Sequence, residues 1–307
     1  MGTNTDIRDL VPADAWDTHI HVFDPAKFPY SPARSYTPAA AALSAYPYDS
    51  TRCTNIVIVQ ATVQGTDAAP LVDALQQTPP AFANKLRGLA VLDLEQTSDD
   101  ELRRLHTAGV RGVRMHEVSW GFGDQESEAT IARKLEKAAA RLNPLGWVID
   151  LYMHPAAWMA LAPTVSALPP GTKVIADHWA GFKPGDGKSA EFAALVQLVS
   201  NRSIYVKLSA FERQYHGHPE GIASLEPMAQ ALIEAGPGRL IFASDWPNTA
   251  LASSRASKTK EERLDDIEGF RDVDHALHIK ALRGWIKDEE TWRRFWVETP
   301  ASLFGGV

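Results

Sequence analysis

Three histidines and one aspartate are the side chains of this sequence whose types and spacing are best suited to chemistry. His19 and His21 are two positions apart, so on an extended strand they face the same side. His178 and Asp245 each stand at the end of a later apolar run. An aspartate is ionised near neutral pH and can accept a proton. With His178 and Asp245, the two same-face histidines could converge on one pocket.

Each of these residues also has a purely structural interpretation. A single histidine at a strand end is more often a hydrogen-bonded structural residue than a catalyst. Asp245 could cap a following helix, since aspartate is a preferred N-cap. Arg114, at the end of another apolar run, could be a surface ion-pair partner. The combination of two same-face histidines, a third histidine and a carboxylate, all at predicted strand ends, favours the functional interpretation.

Eight short apolar runs, rich in β-branched residues, are predicted to be the strands that position these side chains. They are Ala15–Phe23, Asn55–Ala61, Leu86–Leu94, Val110–Met115, Trp147–Met153, Lys173–His178, Ser203–Ser209 and Arg239–Asp245. Most are near-continuous apolar runs, which is typical of parallel strands covered on both faces. Eight strands alternating with helices predict an α/β fold, a single (β/α)8 TIM barrel, whose active site lies at the carboxyl ends of the strands.

Four helical stretches are predicted between the runs: Ser98–Ala108, Ala129–Leu142, Ser189–Ser200 and Pro219–Ala235. Ser98 and Glu101 have the spacing of a capping box at the start of the first. The roughly 50 residues after the last strand, including Asp265–Asp288, are predicted to form extra helices that cover the barrel. No linker, low-complexity tract or internal repeat stands out, so residues 1–307 are predicted to form one domain.

Composition excludes several classes of protein. Of the 307 residues only Cys53 is a cysteine, which excludes an internal disulfide and a cysteine-based zinc cluster and points to a reducing compartment. The net charge of −7 argues against binding to nucleic acid, although a local arginine cluster could still hold a small anion. The N-terminal segment is polar, and no apolar run approaches the ~20 residues of a membrane-spanning helix. We therefore expect a soluble cytoplasmic protein that contacts neither nucleic acid nor membrane.

Two common catalytic motifs are missing from the sequence. The segment Gly187-Lys188-Ser189 resembles the end of a P-loop, but Phe182 stands where that motif needs glycine. No G-x-G-x-x-G follows a strand, and no G-x-S-x-G is present. Nucleoside triphosphates, dinucleotides and a serine nucleophile of the α/β-hydrolase type are therefore not expected.

Several segments resemble family 2 of the amidohydrolase superfamily. They are DTHIHVFDP, IVIVQAT, AGVRGVR, IADHWAG, FASDWP and the terminal TPASLFG, in the same order as in the family. The resemblance runs from about Trp16 to Gly305. FPYSPARSYTP, QGTD and VKLSAFERQ are similar to segments of the family's 2-pyrone-4,6-dicarboxylate lactonases. The resemblance implies a hydrolase that opens the ring of a carboxylated lactone in the catabolism of aromatic compounds.

The resemblance also implies a role for each matching residue. His19, His21 and His178 would polarise the lactone carbonyl, and Asp245 would activate water. Six further residues would bind substrate: Arg114 and Arg213 as carboxylate clamps, and Tyr36, Thr62, Tyr152 and Trp120 as pocket residues. Trp120 is a departure, because the dicarboxylate lactonases carry a further arginine in that segment. A lactone with one carboxylate, or a more apolar ring stacked on Trp120, therefore fits as well as a dicarboxylate.

Two alternatives to a lactone hydrolase remain open. The first is a metal-dependent decarboxylase of the same superfamily, with one divalent ion such as zinc held by His19, His21, His178 and Asp245. The second is a barrel that binds a small anion without turning it over. The lactonase resemblance implies a site that needs no cofactor. The exact lactone and the oligomeric state do not follow from the sequence.

Overall fold

A sheet of eight parallel strands is the centre of the computed structural model, which describes residues 6–77, 81, 83–117 and 127–305. The strands are β1 (Trp16–Ile20), β2 (Asn55–Val59), β3 (Lys85–Ala90), β4 (Val110–His116), β5 (Val148–Tyr152), β6 (Lys173–Ala176), β7 (Ile204–Leu208) and β8 (Leu240–Phe242). Each strand pairs with the next one along the chain. All eight predicted runs coincide with these strands: six runs contain the whole strand, β3 begins one residue before its run, and β4 ends one residue after its run.

The first and last strands meet at their carboxyl ends and nearly close the sheet into a barrel. Ile20 forms an isolated parallel bridge with Trp246. The backbone N–H of His21 donates to the Trp246 carbonyl at 2.7 Å, and that of Asp245 donates to the His19 carbonyl at 3.0 Å. The predicted (β/α)8 barrel is confirmed, and its closure directly connects two segments that carry candidate site residues.

Helices surround the sheet and extend beyond its last strand. They are α1 (Ile7–Leu10), α2 (Tyr48–Thr51), α3 (Ala69–Gln76), α4 (Asp99–Thr107), α5 (Glu128–Leu142), α6 (Pro155–Ala167), α7 (Ala190–Ser200), α8 (Phe211–Tyr215), α9 (Glu226–Ala235), α10 (Ala252–Arg255), α11 (Lys260–Asp265), α12 (His275–Trp285), α13 (Glu289–Arg293) and α14 (Thr299–Phe304). Among the described residues, no helix is long and apolar enough to cross a membrane.

Two of the predicted helical segments need correction. Residues 219–235 were predicted as one helix, but α9 begins only at Glu226, after a 3-10 turn at Gly221–Leu225. Pro227 explains the late start, because proline is tolerated in the first turn of a helix but not in its interior. Within Asp265–Asp288, Ile267–Glu268 pairs as a short strand with Thr37–Pro38 instead of forming a helix. The extra helices after β8 are otherwise present.

The amino-terminal end of the barrel is closed by its own carboxyl-terminal helix. Leu303 and Phe304 of α14 pack with inward side chains of the barrel, including Trp16, Val148 and Ile241. The carbonyl of Phe304 also accepts a hydrogen bond from Arg87 Nε at 3.1 Å. This packing fills one end of the barrel, so only the opposite end, where the strands finish, is left for chemistry.

Candidate active site

The structure brings His19, His21, His178 and Asp245 together at the carboxyl end of the barrel. Asp245 Oδ1 lies 3.9 Å from His19 Nε2, 3.8 Å from His21 Nε2 and 3.9 Å from His178 Nε2. The Nε2 atoms of His19 and His21 are 3.3 Å apart. One carboxylate oxygen therefore faces three imidazoles, as the spacing of these residues at strand ends predicted.

Two of the four residues have backbone conformations that residues other than glycine rarely adopt. His178 has φ 49° and Asp245 has φ 58°, both in the left-handed region. For residues other than glycine this conformation costs free energy and persists only where the surroundings impose it. At Asp245 the backbone N–H donates to the His19 carbonyl, a contact that helps to hold this conformation.

The Asp245 carboxyl is ionised although only 4% of the residue is exposed. Burial alone would raise its pKa, but His178, the guanidinium of Arg213 and the other two histidines outweigh burial and hold the pKa well below its usual range. The Asp245 carboxylate is therefore ionised at neutral pH and can accept a proton, although its low pKa makes it a weak base in the ground state.

Burial keeps the three histidines neutral, because it lowers the pKa of each imidazole. Burial, followed by the charge of Arg114, lowers the pKa of His21 to about 4. Burial likewise lowers the pKa of His19 and of His178. His21 Nδ1 donates to the Val59 carbonyl at 2.7 Å, and His178 Nδ1 lies 2.7 Å from the Ser209 hydroxyl. These contacts at Nδ1 hold the rings of His21 and His178 in place.

Three charged residues beneath the histidines were not among the predicted site residues. Lys207, Asp150 and Asp177 are fully buried inside the barrel. Lys207 Nζ donates to Asp150 Oδ1 at 2.7 Å and lies 3.6 Å from Asp177 Oδ1. Asp177 Oδ1 is 3.2 Å from His19 Nδ1, and its Oδ2 is 3.2 Å from His178 Nε2. Burial, then the nearby Asp177, raises the pKa of Asp150, and the Lys207 ammonium opposes that rise.

Arg114 lies beside the histidines, as predicted. It is in β4, its Nη2 is 4.0 Å from Asp177 Oδ2, and 8% of the residue is exposed. Its Nε is buried without a hydrogen-bond partner among the described residues. A guanidinium with an unused donor at the edge of a cleft suits an anionic group of a ligand. Arg111 donates instead to the carbonyls of His106 and Val110, away from this cluster.

Arg213 lies next to Asp245 and is already extensively bonded. Its Nε donates to Asp245 Oδ2 at 3.3 Å. Its Nη1 donates to the Ala250 carbonyl at 3.0 Å, and its Nη2 to the carbonyl and hydroxyl of Thr249 at 2.7 and 2.8 Å. This arrangement orients the Asp245 carboxylate and leaves few N–H groups for a substrate. The placement suits a residue that holds Asp245 better than the clamp that the resemblance implies.

The other predicted pocket residues are spread over the mouth of the barrel. The ring of Tyr152, at the end of β5, is 5.5 Å from that of His178, and burial raises its pKa to about 12. Thr62 begins a 3-10 turn after β2 and is exposed. Tyr36 is half-buried and stacks 3.6 Å from the Arg255 guanidinium, so its ring is engaged outside the histidine cluster. Trp120 lies outside the described residues.

A cavity of about 850 Å³ opens beside the cluster. Thr62, Arg114 and His116 are among its lining residues, together with Lys134 and Lys137 of α5. A ligand in this cavity would therefore contact Arg114. The lining also includes acidic residues, and Lys134 and Lys137 form ion pairs with two of them, Glu117 and Glu95. Asp245, His21, His178 and Tyr152 each keep 4–8% of their surface exposed, whereas His19 has none, which makes His19 a supporting residue.

The cluster contains two groups of side chains with the spacing of a cation site. The ligand atoms of His19, His178 and Asp245 lie within 4.8 Å of one another, and so do those of His19, Asp150 and Asp177. The second group already holds a cation of its own, because the Lys207 ammonium is 2.7 Å from Asp150 and 3.2 Å from His19 Nδ1. The first group, which Lys207 does not occupy, is therefore the one that suits a divalent ion such as zinc.

Comparisons with known proteins agree with the resemblance seen in the sequence. The family model described as amidohydrolase matches residues 16–306. The chain is 33% identical over 301 residues to a 2-pyrone-4,6-dicarboxylate hydrolase of Comamonas testosteroni, covering 94% of this chain and 92% of the relative. It is 30% identical over 307 residues to a 4-sulfomuconolactone hydrolase of Rhizobium radiobacter, covering 98% and 93%.

The fold is also similar to solved structures. One is a crystal structure of an Acinetobacter baumannii protein, assigned as a 2-pyrone-4,6-dicarboxylic acid hydrolase, with citric acid bound. It superimposes with a TM-score of 0.72 at 23% identity, and the match covers 95% of this chain and all of that one. At this identity the similarity bears on the fold alone.

Proposed function

The chain belongs to the amidohydrolase family, and on that premise we propose that it is a hydrolase that opens the ring of a lactone bearing an acidic group. The two relatives described above act on lactones whose names include carboxylate or sulfonate groups. A lactone is a cyclic ester, so the reaction cleaves a carboxylic ester bond.

The observation that carries the proposal is the position of Asp245. Its Oδ2 is held by Arg213, while its Oδ1 faces His21 and His178 at 3.8 and 3.9 Å. A water molecule near Oδ1 can give one proton to the carboxylate as its oxygen attacks the lactone carbonyl carbon. We expect the neutral imidazole of His178 and the Arg114 guanidinium, which lie 3.2 and 4.0 Å from Asp177 Oδ2, to stabilise the negative charge that develops on the carbonyl oxygen.

The same carboxyl closes the cycle. When the tetrahedral intermediate collapses, the bond between the carbonyl carbon and the ring oxygen breaks, and the ring oxygen leaves with the bonding electrons. Asp245 returns the proton it took from water to that oxygen. Addition of one water molecule therefore yields one carboxylic acid and one hydroxyl group, without a covalent enzyme intermediate.

Arg114 sets the kind of substrate that we expect. It is the guanidinium near the histidines with an unpartnered buried donor, and it lines the cavity of about 850 Å³. Charge-assisted bonds from one arginine suit one carboxylate or sulfonate group. We therefore propose a lactone with at least one acidic substituent close to the scissile bond.

We further propose that turnover needs no metal ion. When bound by His19, His178 and Asp245, a divalent ion would supply Lewis-acid polarisation of the carbonyl. The neighbouring cations Lys207, Arg114 and Arg213 argue against it, because they already compensate the carboxylates of the cluster. Metal-free turnover also separates this proposal from the metal-dependent decarboxylase.

The alternative of a binding protein without catalysis rests on the Arg213–Asp245 ion pair. If that ion pair neutralised the carboxylate completely, Asp245 could not serve as a base. The low pKa of Asp245 makes it a weak base in the ground state, but the second oxygen is not part of the ion pair. Turnover decides between the two functions, since both predict binding of the anion.

We propose a cytoplasmic location and no nucleic-acid partner, on the basis of composition. Cys53 is free and buried, and burial raises the pKa of its thiol. A single protected thiol is in keeping with a reducing compartment.

The test is a panel of lactones at neutral pH on metal-quantified protein, with and without a chelator. The panel pairs 2-pyrone-4,6-dicarboxylate and muconolactones with the same rings lacking acidic groups, and ring opening is followed by absorbance. We expect turnover of acidic lactones that survives chelation. Loss of turnover on chelation, restored by zinc, would overturn the metal-free proposal, and binding without turnover of any lactone would overturn the hydrolase.

A further inference from the structure

The buried Lys207 ammonium determines where His19 carries its proton. Lys207 Nζ lies 3.2 Å from His19 Nδ1, in hydrogen-bonding geometry, and both residues are fully buried. An ammonium can donate hydrogen bonds but cannot accept them. His19 Nδ1 must therefore be the acceptor, and the proton of the neutral ring sits on Nε2.

Asp177 approaches the same nitrogen but does not reverse this assignment. Its Oδ1 is also 3.2 Å from His19 Nδ1, and a carboxylate favours a proton on the atom it faces. However, neither oxygen of Asp177 makes a hydrogen bond within the part of the chain that the structure describes. A proton on Nδ1 would in addition point at an ammonium whose three hydrogens repel it.

The position of the proton on the second histidine of the pair, His21, is equally well determined. His21 Nδ1 is 2.7 Å from the Val59 carbonyl, which can only accept, so this ring carries its proton on Nδ1. His21 Nε2 then has the lone pair, and it lies 3.3 Å from the protonated Nε2 of His19. Lys207, His19, His21 and the Val59 carbonyl thus form a chain in which each member donates to the next.

We propose that Lys207 is a positioning residue that fixes the tautomers of His19 and His21 through this chain. The chain begins at a group that only donates and ends at one that only accepts, so it permits a single arrangement of protons. In that arrangement His19 Nε2 has no lone pair to give to a metal ion. His21 is held rigid and neutral beside Asp245, which remains the base of the site.

This arrangement of protons explains why His19, His178 and Asp245 need not bind a metal ion, although their ligand atoms have the spacing of a metal site. A cation at His19, His178 and Asp245 would require the His19 proton to move to Nδ1, opposite Lys207. The ammonium therefore discriminates against a metal ion without touching the place where it would bind. The tautomers follow from the contacts alone, and only the kinetic consequence rests on the proposed function.

The first measurement is ¹⁵N NMR of the imidazoles in protein labelled at histidine, with His19→Gln and His21→Gln for assignment. In the wild type we expect the His19 proton on Nε2 and the His21 proton on Nδ1. In Lys207→Met we expect the His19 proton to move to Nδ1, towards Asp177. This readout needs no substrate, so it stands even if no lactone is turned over.

The second measurement is zinc affinity by competition with a chelator, together with steady-state kinetics. Lys207→Met should bind zinc about tenfold more tightly or better, and its kcat should fall about 10- to 100-fold with little change in KM. Lys173→Met is the matched control. Lys173 is in the neighbouring strand β6, and its Nζ bonds the carbonyls of Gly146 and Ser302, far from the histidines.

A charge-balanced variant serves as the control for misfolding of the single variant. Lys207→Met combined with Asp150→Asn removes the ammonium and its partner carboxylate together, so the buried charge is unchanged. If Lys207 acts only as a structural counterion, this double variant regains wild-type kcat and keeps the His19 proton on Nε2, and our inference is then wrong. A His19 proton on Nδ1 in the wild type would overturn it directly.

Discussion

Asp245 combines nearly complete burial with a full negative charge, and its replacement by asparagine is the most direct test of its role. Asp245→Asn keeps the shape and the bond from Arg213, but an amide cannot take a proton from water. Loss of a general base costs ~10²- to 10⁴-fold in rate, so kcat should fall by that order while the melting temperature and anion binding persist. Steady-state kinetics and calorimetry with the same lactone check this. An Asp245→Asn enzyme with most of its turnover would show that the base is elsewhere.

The pKa values of the cluster also determine how activity depends on pH. The pKa of Asp245 is held below its usual range, that of His21 is lowered to about 4, and those of His19 and His178 are lowered as well. The Asp245 carboxylate and the neutral imidazoles are therefore already formed at mildly acidic pH. We expect kcat/KM to stay constant from about pH 5 to 8. An acid limb near pH 6.5 would mean that one of these histidines titrates in the free enzyme.

Acid unfolding has to be separated from that profile. The unfolded chain binds a proton at each of these histidines near the ordinary histidine pKa of about 6.5, whereas folded His21 does so only near 4. The free energy of unfolding should therefore decrease as the pH falls through this window. Short assays after return to neutral pH distinguish reversible titration from loss of fold.

The residue types at the strand ends predicted the candidate site residues but not the buried charged residues beneath them. His19, His21, His178 and Asp245 could be found because few other roles explain such side chains at the ends of apolar runs. Lys207 and Asp150 could not be assigned, although each stands two positions before a residue at the end of its strand. A charged residue inside an apolar run has no visible partner in the sequence, and its partner here is on another strand.

At the scale of elements, strand β4 allows a matched comparison of two arginines. Arg114 faces the cluster and the cavity, whereas Arg111 bonds backbone carbonyls at the opposite end of the strand. Arg114→Gln should raise KM for an acidic lactone about 10- to 100-fold, because charge-assisted bonds worth ~1.5–3 kcal/mol are lost. Arg111→Gln should lower the melting temperature and leave KM unchanged. Equal KM values for the two variants would mean that Arg114 does not bind the substrate anion.

The role of Arg213 illustrates what motif resemblance leaves out. Helix α8 begins after Ala210, whose φ of 51° turns the chain sharply at the end of β7. This turn brings Arg213 to Asp245 and to the Thr249 carbonyl, contacts that depend on the loop after β8. The motif identified the right residue near the site. Its bonding pattern arises from the tertiary structure and was not visible in the sequence.

Helix boundaries show the same limit. A serine cap helped to predict α4, in which Ser98 accepts a backbone N–H in the first turn. Ser127 and Ser189 cap α5 and α7 in the same way, although periodic apolar residues predicted those two helices. Helix α6 was not predicted, because it has apolar residues around most of its surface and contains Pro163. Residues 267–268 form a strand only because residues 37–38 lie beside them.

At the scale of the whole molecule, the eightfold pattern of apolar runs was sufficient to predict the barrel. Parallel strands buried on both faces leave a strong signal, and closure follows from strand number. The sequence did not predict how the two ends differ. The apolar residues of α14 fill the amino-terminal end, while charged side chains occupy the interior towards the other end. A net charge of −7 does not exclude an anionic substrate, because the arginine that lines the cavity, Arg114, acts locally.

Close packing across the barrel connects this architecture with the site through Gly112 of β4. A Cβ atom there would lie 2.4 Å from the Val148 carbonyl oxygen and 2.8 Å from Leu89 Cδ2, so β4 and β5 would have to separate. Gly112→Ala should therefore lower the free energy of unfolding by about 1–3 kcal/mol. It should also raise KM, because Arg114 lies two residues along the same strand.

Gly284→Ala is the control for that substitution. Gly284 lies inside α12 with no heavy atom within 4 Å of a new Cβ, so alanine should stabilise the helix by up to ~1 kcal/mol and leave KM unchanged. Denaturant unfolding of both variants measures the difference, and kinetics with an acidic lactone measures its effect on the site. If Gly112→Ala is as stable as the wild type, the spacing of β4 and β5 does not limit the barrel. If it is destabilised with KM unchanged, the position of Arg114 is set by its neighbours at the mouth and not by the strand.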